Sequence, residues 1–213
     1  MGALWQKLGA ALTASLTVAS CAALPGFEDE PVTVYLLEWQ DDLAPTAPAD
    51  IEPCASLLII SPLAAPGYAT TRMAYVQQPH RVEYFVTHQW ADTPARMLAP
   101  LMTRALAESG LFKAVVENPA PIQTQLRLES ELLKLRQVFR DQVSEVELSL
   151  RVNLYDLTQG RMLASRVLNA VAPAASRDPY GGVVASHRAV GRVFQQLAEL
   201  VAEVMADDRL PCD

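Results

Sequence analysis

Three cysteines and three histidines are the side chains of this chain best suited to nucleophilic, acid–base or metal chemistry. The histidines fall in unrelated stretches: His80 reads as a turn residue, His88 as the rim of a strand and His187 as a packing residue of a helix. No spacing joins them to one another or to a cysteine, and GxSxG, GxGxxG, the P-loop and HExxH are all missing. A periplasmic hydrolase is therefore the weakest of the functional readings, and no cofactor or metal is expected. Two carboxylate pairs, Glu129/Glu131 and Glu145/Glu147, are spaced by two, which puts each pair on one face of a strand. Such pairs can act as acid and base or hold a cation, but alternation with Leu and Val makes them the solvated face of a sheet.

The cysteine with a chemical context is Cys21. Met1 to Lys7 carries one positive charge, Leu8 to Val18 is an apolar run too short to span a bilayer, and small residues lead into the thiol, as in a secretory signal. Val18-Ala19-Ser20-Cys21 resembles the bacterial lipobox, which implies that residues 1–20 are removed and Cys21 is lipidated. A thiolate is the side chain nucleophilic enough to form the thioether. Several acyl chains, such as palmitate, make a stable anchor, since each buried methylene contributes about 0.8 kcal/mol. A plain secreted signal cut near Ala19 or Ala22 would leave Cys21 incidental. In lipoproteins that share the motif, an aspartate after the cysteine favours the inner membrane; Ala22 stands there, so the outer membrane, facing the periplasm, is expected.

Cys54 and Cys212 remain as an even pair in a compartment where disulfides persist. Bonded, they would tie the chain's end to its beginning and stabilise it by at most about 5 kcal/mol on a loop-entropy model; the alternative is two free thiols. Lys7 is the only charged residue among the first 20, so the mature chain carries 16 basic and 24 acidic residues, a net −8. That balance offers no basic footprint for nucleic acid. Its 193 residues are enough for one well-buried domain.

Residues 21–33 read as the lipidated cysteine and a Pro- and acid-rich tether with a reach of roughly 20 Å if flexible, and residues 34–213 as the domain. Val34–Trp39, Leu57–Ile60, Arg72–Gln77, Arg81–His88, Phe112–Glu117 and Arg161–Val171 have strand character. Val146 to Leu154 alternates strictly, while Thr124–Phe139 is ambiguous: its Gln, Glu, Leu, Lys and Arg would also suit a helix, but its alternating leucines favour a long strand with a bulge near Leu132. Thr93-Pro94 opens a helix that Gly110 closes, with Pro100 inside it. The last helix carries Val183, Val190, Phe194, Leu197 and Val201 on one stripe. Together these predict a single α/β domain, a layered sandwich. Its mixed, mostly antiparallel sheet of about five or six strands has two main helices packed on it, Pro94 to Ser109 and Gly182 to Asp207. Arg72, Tyr75, Tyr84 and Trp90 are of types enriched in interaction hot spots; they either bind a partner or only fasten a turn to the sheet.

The stretches PGY..TRMAY, WADTPARML and LAESGLF, spaced along Pro66 to Phe112, resemble the ABC-type transport auxiliary lipoprotein component family, to which the paraquat-inducible protein C-like lipoproteins belong. The likeness runs over most of Tyr35 to Met205. It implies a non-enzymatic subunit of a system that carries lipids or other hydrophobic compounds. The implied partners are a substrate-binding protein of the mammalian-cell-entry type, an ABC permease and its ATPase, with a homo-oligomer left open. The rival reading is a stand-alone periplasmic carrier that holds lipid in an apolar cavity.

Overall fold

The computed structural model describes residues 30–38, 45, 52–53, 55–120 and 122–206. Cys21, Cys54 and Cys212 lie outside these residues, as does the expected strand end at Trp39. The sheet is built around one long strand, β7 (Leu126–Arg140), and the hairpin it opens with β8 (Val143–Asp156) and β9 (Arg161–Pro173). Alternation over these three segments, interrupted where the register slips, buries one face of the sheet. The turns follow from local chemistry: Asp141 at φ 43° between β7 and β8, and Gly160 at φ 63° between β8 and β9. Asp156 Oδ1 accepts from Thr158 N at 2.8 Å, Thr158 Oγ1 at 2.6 Å and Gln159 N at 3.1 Å. Although burial pushes the Asp156 carboxyl up, those three donors bring it below the usual aspartate value.

The other edge of β7 is shared by three short strands laid end to end, β2 (Ser56–Ile59), β3 (Leu63–Ala64) and β4 (Arg72–Gln78), all parallel to it. β6 (Ala114–Glu117) pairs with β2, β5 (Arg81–Trp90) with β4, and β1 (Thr33–Tyr35) with β5. Among the described residues nine strands thus occur where about five or six are expected, yet the serial arrangement keeps the sheet at most six strands wide. Its pairings are mixed, and the long antiparallel β7–β8–β9 hairpins supply most of the ladder. The expected bulge lies at Leu133, where the register slips between Leu132 and Lys134. The extra residue returns Leu135 to the buried face that Leu132 occupies.

Helix α1 (Pro94–Glu108) begins with proline at its first position and ends before Gly110 at φ 76°. It turns Leu98, Met102, Ala105 and Leu106 to the core. Helix α2 (Pro179–Ala206) starts three residues before the expected Gly182. Asp178 accepts from Gly181 N at 2.7 Å and Pro179 supplies the preset first turn, so the cap lies in what reads as loop. The Gly181 N–H, then the Ser176 hydroxyl, hold the Asp178 carboxyl below its usual value. α2 also closes the free edge of β9. Arg188 donates to Pro173 O at 2.6 Å, Arg192 to Val171 O, and Gln196 both donates to Asn169 O and accepts from Asn169 N. Four helical residues rise about 6 Å and two strand residues about 6.6 Å, so each step along the helix meets the next outward carbonyl.

Candidate functional site

The four residues singled out as an interaction cluster separate in the structure. Trp90 is 3% exposed, in the core. Arg72 and Tyr84 remain together: the guanidinium lies 4.2 Å above the Tyr84 ring, whose hydroxyl donates to Gly67 O at 2.9 Å. Gln89 pairs with Arg72 on one side and Val34 on the other, so Val34, Gln89 and Arg72 form one row across β1, β5 and β4. Tyr75 occupies the opposite face, because Ala74, its neighbour, is the residue that faces Tyr84.

Tyr75 belongs to a different group. Its ring is 4.5 Å from Phe85 and 5.9 Å from Phe139, and the row continues through His88 and Tyr35 to Tyr180 at the start of α2. Sequence reasoning misses Phe85, Phe139, Tyr35 and Tyr180 as a set, since four separate elements contribute them and no spacing links them. The Tyr35 hydroxyl and His88 Nδ1 are 3.3 Å apart. His187 departs from its expected place in the packed stripe: it sits half-buried at the helix rim, 3.1 Å from the carbonyl of Leu36. A position one step off the centre of the stripe reaches the end of β1 instead of the core.

The carboxylate pairs lie on the face away from the helices, each matched by cations. Glu147 accepts from Arg136 Nε at 3.0 Å and Nη2 at 2.8 Å, with Lys134 at 3.4 Å and Arg140 at 3.3 Å. Glu129 pairs with Arg127, Glu131 with Arg151 and Glu145 with Arg140. Burial raises the Glu147 carboxyl, but Arg136, first by hydrogen bonding and then by charge, and Lys134 bring it below the usual glutamate value. Compensated so closely, these groups make a structural ladder and not an acid–base pair. Tyr68 borders the ladder; burial raises its hydroxyl pKa, and Arg136 acts against that shift. An open groove of about 480 Å³ on this side is lined by Val76, His80, Arg136, Val138 and Arg140 among others.

Between the sheet and α2, the cavity bounded by Met73, Phe85, Trp90, Leu135, Gln137 and Ser186 holds about 10 Å³. That is room for about one water, against the roughly 300–1,000 Å³ of ligand pockets. At this place between the sheet and α2 the side chains leave no room for a lipid. Among the described residues no group of three His, Cys, Asp or Glu is placed to hold a metal ion, and no helix is long and apolar enough to cross a membrane.

A model of the ABC-type transport auxiliary lipoprotein component family matches residues 35–198. No curated protein matches. Among solved structures, protein XCC0632 from Xanthomonas campestris, of family DUF330, superposes with a TM-score of 0.74 at 21% identity, over 83% of this chain and 98% of that one. The hypothetical protein CT253 from Chlamydia trachomatis gives 0.50 at 13% identity, over 73% and 99%. These likenesses bear on the fold.

Proposed function

The chain belongs to the ABC-type transport auxiliary lipoprotein component family, and from that premise we propose that it is the lipid-anchored auxiliary subunit of one such transport system. The observation that carries the reading is the extent of the match: residues 35–198 run from the last residue of β1 into the final turns of α2, which is nearly the whole folded domain. The family is one of transport lipoproteins, not a known family of enzymes. We further propose that Cys21 carries the lipid, that the anchor is in the outer membrane, and that the domain faces the periplasm. There it would meet a substrate-binding protein of the mammalian-cell-entry type, with its permease and ATPase, alone or as a homo-oligomer. The lipobox at Val18–Cys21 and Ala22 behind it support the anchor; the family supports the partners.

In vivo cross-linking of the tagged, lipidated protein tests this. Recovery of a mammalian-cell-entry-type protein or its permease is expected. Capture of no envelope protein, with phospholipid co-purifying near one to one, would overturn the reading in favour of the carrier.

A further inference from the structure

We propose that the corner of the sheet formed by β1, β5 and β4 is a bilayer-contacting surface. There Val32, Val34 and Leu36 enter the interface of a phospholipid leaflet and Arg72 meets lipid phosphate. The inference rests on the reading of Cys21 as lipidated.

Val32, Val34 and Leu36 alternate along the edge segment around β1, so they point to one side, and they are 52%, 52% and 54% exposed. Single exposed aliphatic residues are ordinary on protein surfaces, but three in succession on one side of an edge segment form a patch. Arg72 is exposed and lies in the same cross-strand row as Val34. The Tyr84 ring beneath its guanidinium leaves the outward N–H groups for an anion. Apolar side chains ringed by a cation and a tyrosine suit the headgroup boundary of a bilayer.

The length of chain before the patch selects the membrane over other occupants. Eleven residues separate Cys21 from Thr33, the first residue of β1. Fully extended they span at most about 40 Å, while a domain of this size has a radius of gyration of about 16 Å. A lipid on Cys21 therefore tethers the domain at the β1 corner, within reach of the leaflet. The carboxylates on the same face of β7 and β8 are each paired with arginine or lysine, which limits their repulsion of anionic lipid. Glu30 and Glu38 flank the run, so the entering stretch is limited to its outward-facing Val32, Val34 and Leu36.

The test uses the full mature chain, lipidated and reconstituted in vesicles of phosphatidylethanolamine and phosphatidylglycerol. A photo-activated amino acid is placed at position 36, or at position 162 on the far edge strand. Position 36 is expected to capture several-fold more phospholipid than position 162, and Val34→Glu to lower that capture about fivefold, as expected when half a valine side chain no longer leaves water. Equal capture at both positions by a chain that stays on the vesicles, or capture at position 36 unchanged by Val34→Glu, overturns the patch and leaves the anchor standing. An unmodified Cys21 by intact mass, with the chain free in the supernatant, overturns the anchor and this inference with it.

Discussion

Gly182 stands where α2 crosses the buried side chain of Gln137, and substituting alanine there sets two effects of known sign against each other. A Cβ at position 182 would lie 2.3 Å from Gln137 Oε1 and 2.8 Å from its Cδ. Gln137 is 3% exposed and pinned, since its Nε2 donates to Ser144 Oγ at 2.7 Å and to Asp178 O at 3.1 Å. To make room the amide must leave both acceptors, at about 1 kcal/mol for each bond and about 1 kcal/mol more for the stranded polar groups. Against that, alanine is a better helix former than glycine by about 1 kcal/mol. Gly182→Ala should therefore destabilise by about 2 kcal/mol, lowering the urea midpoint by about 1 M for an ordinary denaturant slope. In a Gln137→Ala background the clash is gone and only propensity remains, so the same substitution should raise stability by up to about 1 kcal/mol. Urea unfolding of the four proteins, followed by circular dichroism, measures the cycle. Equal destabilisation in both backgrounds, or a neutral effect in the wild type, would refute the contact with Gln137 as the reason for glycine here.

Asp178→Ala should cost about 1 kcal/mol through the lost cap, whereas Asp178→Asn should keep most of it. The native carboxyl sits below its unfolded value near 3.8, so its contribution is complete above that pH and fades as pH falls through the lowered native value. An acid titration of stability should accordingly be less steep below about pH 4 in the asparagine variant, and identical titrations would count against the cap. Glu147→Gln leaves Arg136, Lys134 and Arg140 gathered without their shared carboxylate and should cost about 1–2 kcal/mol, less at high salt; a salt-independent loss would point to packing instead. For the cysteines, Ala55 and the C-terminal turn of α2 lie at the same end of the sheet, since Leu57 pairs with Leu126 and Val204 borders a groove with Leu163 of β9. Cys212 follows Ala206 by six residues, a reach of at most about 20 Å, so a Cys54–Cys212 bond is expected in the mature protein. Two alkylatable thiols in unreduced protein would exclude it.

Alternation explains most of what the sequence makes legible. A period of two from Val146 to Leu154 and the phase change after Leu132 fix the central hairpin and its bulge, because each is decided by neighbours in the chain. Both helices announce themselves by apolar stripes, and α1 also by proline at its first turn. What is not legible depends on partners distant in sequence. β3 is two residues long and exists because the outer edge of β7 accepts it between β2 and β4; nothing in Leu63-Ala64 alone encodes a strand.

The dispersal of the expected interaction cluster has the same origin and could have been foreseen in part. Arg72 and Tyr75 differ by three positions on one strand, an odd step, so a regular strand sends them to opposite faces whatever pairs with it. Trp90 ends β5 with its backbone N–H bonded to Thr71 O and its ring in the core, and residue type alone does not distinguish such a tryptophan from an exposed one. The pairing of Arg72 with Tyr84 required the hairpin register, in which the partners of Ala74 and Arg72 lie five positions apart on β5. That irregularity brings Gln89 beside Arg72 and so places the cation in line with β1. A β5 without the bulge would set Arg72 opposite Val86, by continuing the Ala74–Tyr84 step, and would part the cation from Val34. The composition of the corner is thus a consequence of a register shift of three residues between β4 and β5.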